Sequence, residues 1–167
     1  MTWDAYHRRK ETLREVLAVA DRRRDGDLMW TERDDVEHTF ATADDLLLDI
    51  QMYWFQRLSG HLDSSFGLDD ADPETAVVRA WRETAAEMPG ARAILDQHDD
   101  NPMLAKAHAK ELGSMAHAAG LAPLGDPRGV TLGERLRAEA RAISIDRQQP
   151  LGAEPTWLAR LRGALTA

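Results

Sequence analysis

Apolar residues recur at intervals of three and four along most of the chain, and this spacing predicts amphipathic α-helices. The first helix is expected from Trp3 to about Arg23, where Asp25-Gly26-Asp27 interrupts the pattern. Helices and strands do not alternate anywhere, so the pattern predicts an all-α protein. The predicted helices cover approximately residues 3–23, 31–40, 43–62, 73–88, 90–98, 102–120, 131–145 and 156–166.

The segment at about 43–62 differs from the others because it is apolar around most of its circumference. Its main face spans roughly 120° and holds Leu46, Leu47, Ile50, Trp54 and Leu58. A second apolar strip lies almost opposite and holds Leu48, Met52 and Phe55. A helix of this kind is normally surrounded by other helices. The sequence therefore predicts a compact helical bundle of about six to eight helices around this central helix.

Several short motifs mark the expected helix ends. Asp72-Pro73 and Asp100-Asn101-Pro102 each place a capping residue before a proline at the first helical position. Thr31-x-x-Asp34 and Thr131-x-x-Glu134 have the spacing of capping boxes. Gly120 followed by Leu121 predicts a helix that ends in a Schellman motif.

Composition supports the helical prediction and narrows the function. The chain has 46 Ala and Leu residues together and ten Val and Ile residues together. Ala and Leu favour helices, whereas Val and Ile favour strands. The chain has no cysteine, which excludes disulfides and thiolate metal sites. A net charge of −8 disfavours nucleic-acid binding. No apolar run approaches the length of a membrane span, and no signal peptide is recognisable, so we expect a cytoplasmic protein without membrane contact.

Charge is distributed unevenly along the chain. Residues 128–167 carry seven arginines and four acidic residues, whereas the rest of the chain is strongly acidic. We expect a single all-helical domain over residues 1–167, in which basic C-terminal helices at 131–167 pack on an acidic body.

Catalytic motifs are missing from the sequence. There is no glycine-rich phosphate loop, no Gly-x-Ser-x-Gly elbow and no cysteine nucleophile. Glu-x-x-His, the repeated motif of di-metal helical bundles, is also absent. The sequence therefore predicts no catalytic residue, no metal site and no cofactor. It favours a non-enzymatic binding or regulatory module that acts through protein–protein contact, with an enzymatic role left open.

The expected contact surface is the second apolar strip of the central helix. Leu48, Met52 and Phe55 would serve as a face for a protein partner or for a second copy of the chain, if no other helix covers them. A homodimer is one possible outcome of such a face.

A buried His/Glu cluster provides the alternative hypothesis, in which a small ligand or a metal binds inside the bundle. His108 lies at the centre of an apolar helix stripe with Glu111 at its edge, and His61 projects from the main face of the central helix. A buried histidine needs a hydrogen-bonding partner, so these positions could form one polar cluster. The candidate ligand-binding residues are His61, His108, Glu111, Trp54 and Arg57.

Overall fold

The structure is a computed structural model that describes residues 3–28, 30, 33–65 and 72–147. This part of the chain contains seven helices and no strand, which confirms the predicted all-α bundle. The helices are α1 (Trp3–Arg23), α2 (Asp34–Thr39), α3 (Ala43–Ser65), α4 (Pro73–Glu87), α5 (Pro89–Gln97), α6 (Ala105–Ala118) and α7 (Arg128–Arg147). The helix predicted at 156–166 lies outside the described residues.

Helix α3 is the central element, as its apolar pattern predicts. It packs against α1, α4, α5 and α6. Its main face is buried, with exposed fractions of 2% or less for Leu46, Leu47, Ile50, Trp54 and Leu58. A polar residue of α3 also contributes a helix contact, because Asp49 forms an ion pair with Arg9 of α1 at 2.6 Å.

Glycines allow two of the helix contacts to be unusually close. A Cβ atom added at Gly133 of α7 would lie 2.7 Å from the Cα of Leu112 in α6, and closer still to the Leu112 carbonyl. A Cβ atom added at Gly90 would lie 2.7 Å from the Cβ of Ala20 and closer to the α1 backbone. Both values are shorter than van der Waals contact, so only glycine fits these positions.

Two of the predicted helix ends are confirmed by hydrogen bonds. The Asp72 side chain accepts the backbone N–H groups of Glu74 at 3.1 Å and Thr75 at 3.3 Å, with Pro73 in the first turn of α4. At the end of α6, Gly120 has φ +69°, and the N–H of Leu121 donates to the Ala116 carbonyl at 2.9 Å. This is the 6→1 bond of a Schellman motif.

Three predicted helix starts are wrong. Helix α2 begins at Asp34, and the side chain of Arg33 at its N-cap position forms no capping hydrogen bond, while Thr31 lies outside the described residues. Helix α6 begins at Ala105, after a turn at residues 102–104 with i→i+3 bonds. The capping residue predicted before Pro102 is present, because the Asn101 side chain accepts the Met103 N–H at 2.9 Å. Helix α7 begins at Arg128 rather than at Thr131. There Asp126 accepts the Arg128 N–H at 2.9 Å, so its side chain caps the helix ahead of the predicted box.

Arginines of α7 contact acidic residues of the rest of the bundle. Arg135 lies 2.5 Å from Glu74 of α4, and Arg137 lies 3.2 Å from Asp99 in the α5–α6 connection. Arg141 pairs with Asp96 of α5. The described part of the basic C-terminal region thus neutralises acidic positions on α4 and α5.

Candidate functional site

Three of the predicted ligand-binding residues, Trp54, His108 and Glu111, are buried where α3, α5 and α6 meet. Their exposed fractions are 0%, 8% and 1%. They belong to a group of polar side chains that also includes residues not singled out from the sequence. We call this group the buried polar cluster; its members are Gln51, Trp54, Trp81, Arg92, His108 and Glu111.

Arg92 of α5 provides the positive charge of the cluster. Its guanidinium carbon lies 4.8 Å from the ring centroid of Trp54 and 5.7 Å from that of Trp81, which are cation–π distances. The two indoles contact each other edge to face at 5.7 Å. The Arg92 Nε donates to Asp96 at 3.0 Å on the outer side. Burial lowers the pKa of Arg92, and the charges of Asp96 and Glu111 oppose that shift.

Glu111 provides the opposing negative charge. Its Oε2 accepts a hydrogen bond of 2.6 Å from Nε2 of Gln51, so α6 and α3 are joined through two almost fully buried side chains. A hydrogen bond to a charged group contributes about 1.5–3 kcal/mol. This contact therefore fixes the position of the carboxylate relative to the central helix.

His108 lies one turn before Glu111 on the same face of α6. Its Nδ1 is 3.7 Å from Oδ1 of Asp99, which is beyond hydrogen-bonding distance. Burial is the main cause that lowers the pKa of His108, while Glu111 and Asp99 oppose it and Arg137 and Arg92 reinforce it. The neutral form of the imidazole is therefore favoured at pH 7.

Every member of the buried polar cluster carries a polar atom without a hydrogen-bond partner in the protein. These atoms are Gln51 Oε1, Trp54 Nε1, Trp81 Nε1, Arg92 Nη2, His108 Nε2 and Glu111 Oε1. Arg92 Nη2 lies 3.0 Å from Asp96, but outside hydrogen-bond geometry. An unsatisfied buried polar group costs about 1–3 kcal/mol. Native proteins therefore normally satisfy such groups with ordered water or with a bound molecule.

The other two predicted ligand-binding residues lie elsewhere, so the expectation of one cluster of five is wrong. Arg57 is exposed and donates from Nε to Glu87 of α4 at 2.8 Å. His61 is half-buried, with Nε2 at 3.0 Å from Glu87 and Nδ1 at 3.5 Å from Glu83. Hydrogen bonds from Arg57 and His61 lower the pKa of Glu87 to about 2. Carboxylates of α4 thus hold both side chains.

The predicted partner-binding strip is only partly exposed. Met52 is 69% exposed. Leu48 is half-buried and packs against the core, and Phe55 is half-buried with the Lys110 ammonium 5.3 Å from its ring centroid. The strip is therefore one exposed methionine flanked by two residues that α6 and the core partly cover.

Sequence reasoning missed half of the buried polar cluster. Trp81 has the spacing of an ordinary core residue, and Gln51 lies beside Ile50 without any distinguishing motif. Arg92 is the least predictable member, because an arginine on a nine-residue helix is normally exposed. A single signal was available, namely that Gln51 interrupts an otherwise apolar sector of the central helix.

Comparison with protein-family models, with curated proteins and with solved structures finds no match for this chain. Within the described ranges, no three His, Asp or Glu side chains are grouped so that they could hold a metal ion. Over the same ranges, no helix combines the length and the apolar character that crossing a bilayer requires.

Proposed function

We propose that this protein binds a small, neutral, polar molecule inside the helical bundle, at the buried polar cluster. The observation that carries the proposal is the set of five neighbouring buried residues, Gln51, Trp54, Trp81, His108 and Glu111, that each have a polar atom without a partner in the protein. Buried polar groups in native proteins almost always have partners. A bound molecule that supplies those partners would turn a costly arrangement into a favourable one.

Charge balance indicates that the ligand is neutral. Arg92 and Arg141 provide two positive charges, while Asp96 and Glu111 provide two negative charges at the same level of the bundle. Burial of a further unpaired charge beside them would cost several kcal/mol. A neutral molecule avoids that cost.

The unpartnered atoms also indicate which groups the ligand needs. The Nε1–H groups of Trp54 and Trp81 and the Nη2 of Arg92 can only donate hydrogen bonds. The Oε1 atoms of Gln51 and Glu111 can only accept them. A carboxamide, a lactam or a nucleobase-like ring carries both kinds of group and can stack on the indoles.

The test is a thermal-unfolding screen with neutral amides and their charged counterparts. The probes are acetamide, 2-pyrrolidone and uracil, with acetate, pyroglutamate and orotate as charged matches. A ligand at 100 times its Kd stabilises the folded state by about 2.7 kcal/mol. For a chain of this size we expect the midpoint temperature to rise by about 5–10 °C.

Two glutamines of α3 provide matched variants for this screen. Gln51→Leu removes a buried member of the cluster, whereas Gln56→Leu changes an exposed residue of the same helix. The rise in midpoint temperature should disappear in Gln51→Leu and persist in Gln56→Leu. If Gln51→Leu does not fold, Trp54→Phe removes the indole donor and retains an aromatic ring. The proposal fails if no neutral probe raises the midpoint temperature more than its charged match does. It also fails if the neutral probes raise the midpoint temperature of both glutamine variants equally.

Contact with another protein is a second candidate function, and the exposure of Met52 favours it. Met52 is 69% exposed beside Tyr53, which is 38% exposed. If this surface forms a dimer, Met52→Asp should convert dimers to monomers in sedimentation velocity without loss of helicity. Met103→Asp is the matched control, because Met103 is 51% exposed in the α5–α6 connection. A wild-type protein that sediments as a monomer at high concentration would contradict self-association.

A further inference from the structure

A groove on the opposite side of α3 from Glu111 has the size and the chemistry of a second binding site. It has a volume of about 350 Å³ and lies between α1, α3 and the α4–α5 junction. Its floor is apolar and buried, with exposed fractions of 7% for Leu17, 7% for Met88 and 0% for Ala91. Small-molecule sites typically enclose about 300–1,000 Å³, so a single-ring ligand fits.

The floor of the groove is firmly positioned. The side chain of Asp21 in α1 accepts the backbone N–H of Gly90 at 2.8 Å, and Gly90 packs directly on the α1 backbone. The N-terminus of α5 is therefore held on α1 by a hydrogen bond and by close backbone contact.

The rim of the groove carries two guanidinium groups and two carboxylates, and both carboxylates are already engaged in other contacts. Two of its lining residues are acidic, Asp21 and Glu87. Asp21 is engaged with Gly90, and Glu87 is engaged with Arg57 and His61. Arg14, on the α1 side, forms no hydrogen bond or ion pair with the residues that the structure describes.

Arg57 lies on the other side of the rim in a defined orientation. Its Nε and Nη2 atoms bind Glu87, which leaves Nη1 available. Tyr53, one turn earlier on α3, adds a partly exposed aromatic ring to the same wall. The groove thus combines two guanidinium groups, one phenol ring and an apolar floor.

We propose that this groove binds a small organic carboxylate with an apolar, ring-sized body. The carboxylate binds Arg14 and the free Nη1 of Arg57, because guanidinium groups recognise carboxylates by charge-assisted hydrogen bonds. The ring lies on the apolar floor beside Tyr53. This site differs from the buried polar cluster in position and in ligand charge, so it goes beyond the function proposed above.

The experiment is an NMR titration of the full chain, labelled with ¹⁵N, with phenylacetate. Phenylacetamide is the uncharged match of nearly the same shape. We expect saturable shifts of backbone amides in α1, α3 and the α4–α5 junction with phenylacetate, and affinity at least tenfold weaker for phenylacetamide. Arg14→Gln should weaken phenylacetate binding at least fivefold. Arg8→Gln should leave it unchanged, because Arg8 is exposed on the same helix and does not line the groove.

Four results would overturn the proposal. They are an absence of saturable shifts with phenylacetate, shifts that map away from the groove, equal affinity for the amide, and equal behaviour of the Arg14 and Arg8 variants. Both arginines are exposed on α1, so neither substitution removes a core contact. The amide spectrum of each variant before titration checks its fold.

Discussion

Substitution of Gly133 by alanine tests how far the stability of the protein depends on the close approach of α6 and α7. The added Cβ atom would lie 2.6 Å from the carbonyl carbon of Leu112, the residue that follows Glu111. The obstacle is helix backbone, so α6 and α7 must move apart. Overpacking costs about 1–3 kcal/mol, with backbone obstacles at the upper end. The higher helix propensity of alanine relative to glycine adds about 1 kcal/mol to the stability and offsets part of this cost. The expected net loss in the free energy of unfolding is about 2 kcal/mol.

Gly113 provides the matched control, because it lies within α6 and an added Cβ atom there would meet nothing within 4 Å. Gly113→Ala should stabilise the protein by up to about 1 kcal/mol. Urea unfolding followed by circular dichroism measures both changes, provided that the m-values agree. Equal stability of the Gly133 variant and the wild type, or destabilisation of both variants by the same amount, would refute the argument. The first outcome would show that the α6–α7 contact is looser than the structure indicates.

Three further predictions concern single side chains. Because the pKa of His108 is lowered in the fold, the unfolded chain binds the proton first, so stability should fall as pH decreases below about 6.5. Between pH 7 and pH 5.5, urea unfolding should show a smaller fall in the free energy of unfolding for His108→Asn than for the wild type. An equal fall in both proteins would contradict a buried, neutral imidazole at this position. Asp72→Ala should lower the free energy of unfolding by about 1 kcal/mol, and Asp72→Asn should restore it, since the side chain caps α4; equal values for both variants would exclude a capping role. Arg57→Ala should change stability by less than about 1 kcal/mol, because its ion pair with Glu87 is exposed; a larger loss in thermal unfolding would indicate a structural role for that pair.

The helical architecture could be predicted because it depends on local spacing. The apolar periodicity of Ala43–Ser65 identified the central helix, and the Asp72-Pro73 pair identified the start of α4. The prediction of a helix start failed where two capping signals competed. Asp126 caps α7 ahead of the Thr131 box, and nothing in the local sequence ranks one capping residue above the other.

The contacts of the candidate site residues were harder to predict, as His61 illustrates. The helical wheel places it on the main face of α3 with Ile50 and Trp54, but α3 extends beyond that core, and Glu83 and Glu87 of α4 lie beside it at that level. Periodicity defines the face of a helix on which a residue lies. It does not define which neighbouring helix faces that residue, or at what height along the axis.

The sequence by itself therefore determined the helical class, the central helix and the burial of Trp54, because apolar spacing and burial are properties of each segment. The tertiary structure alone decided that Glu111, Gln51 and Arg92 meet, because they come from three helices distant along the chain. Two of the helices that carry them also pack closely on others, α6 on α7 and α5 on α1, and each of these contacts requires a glycine.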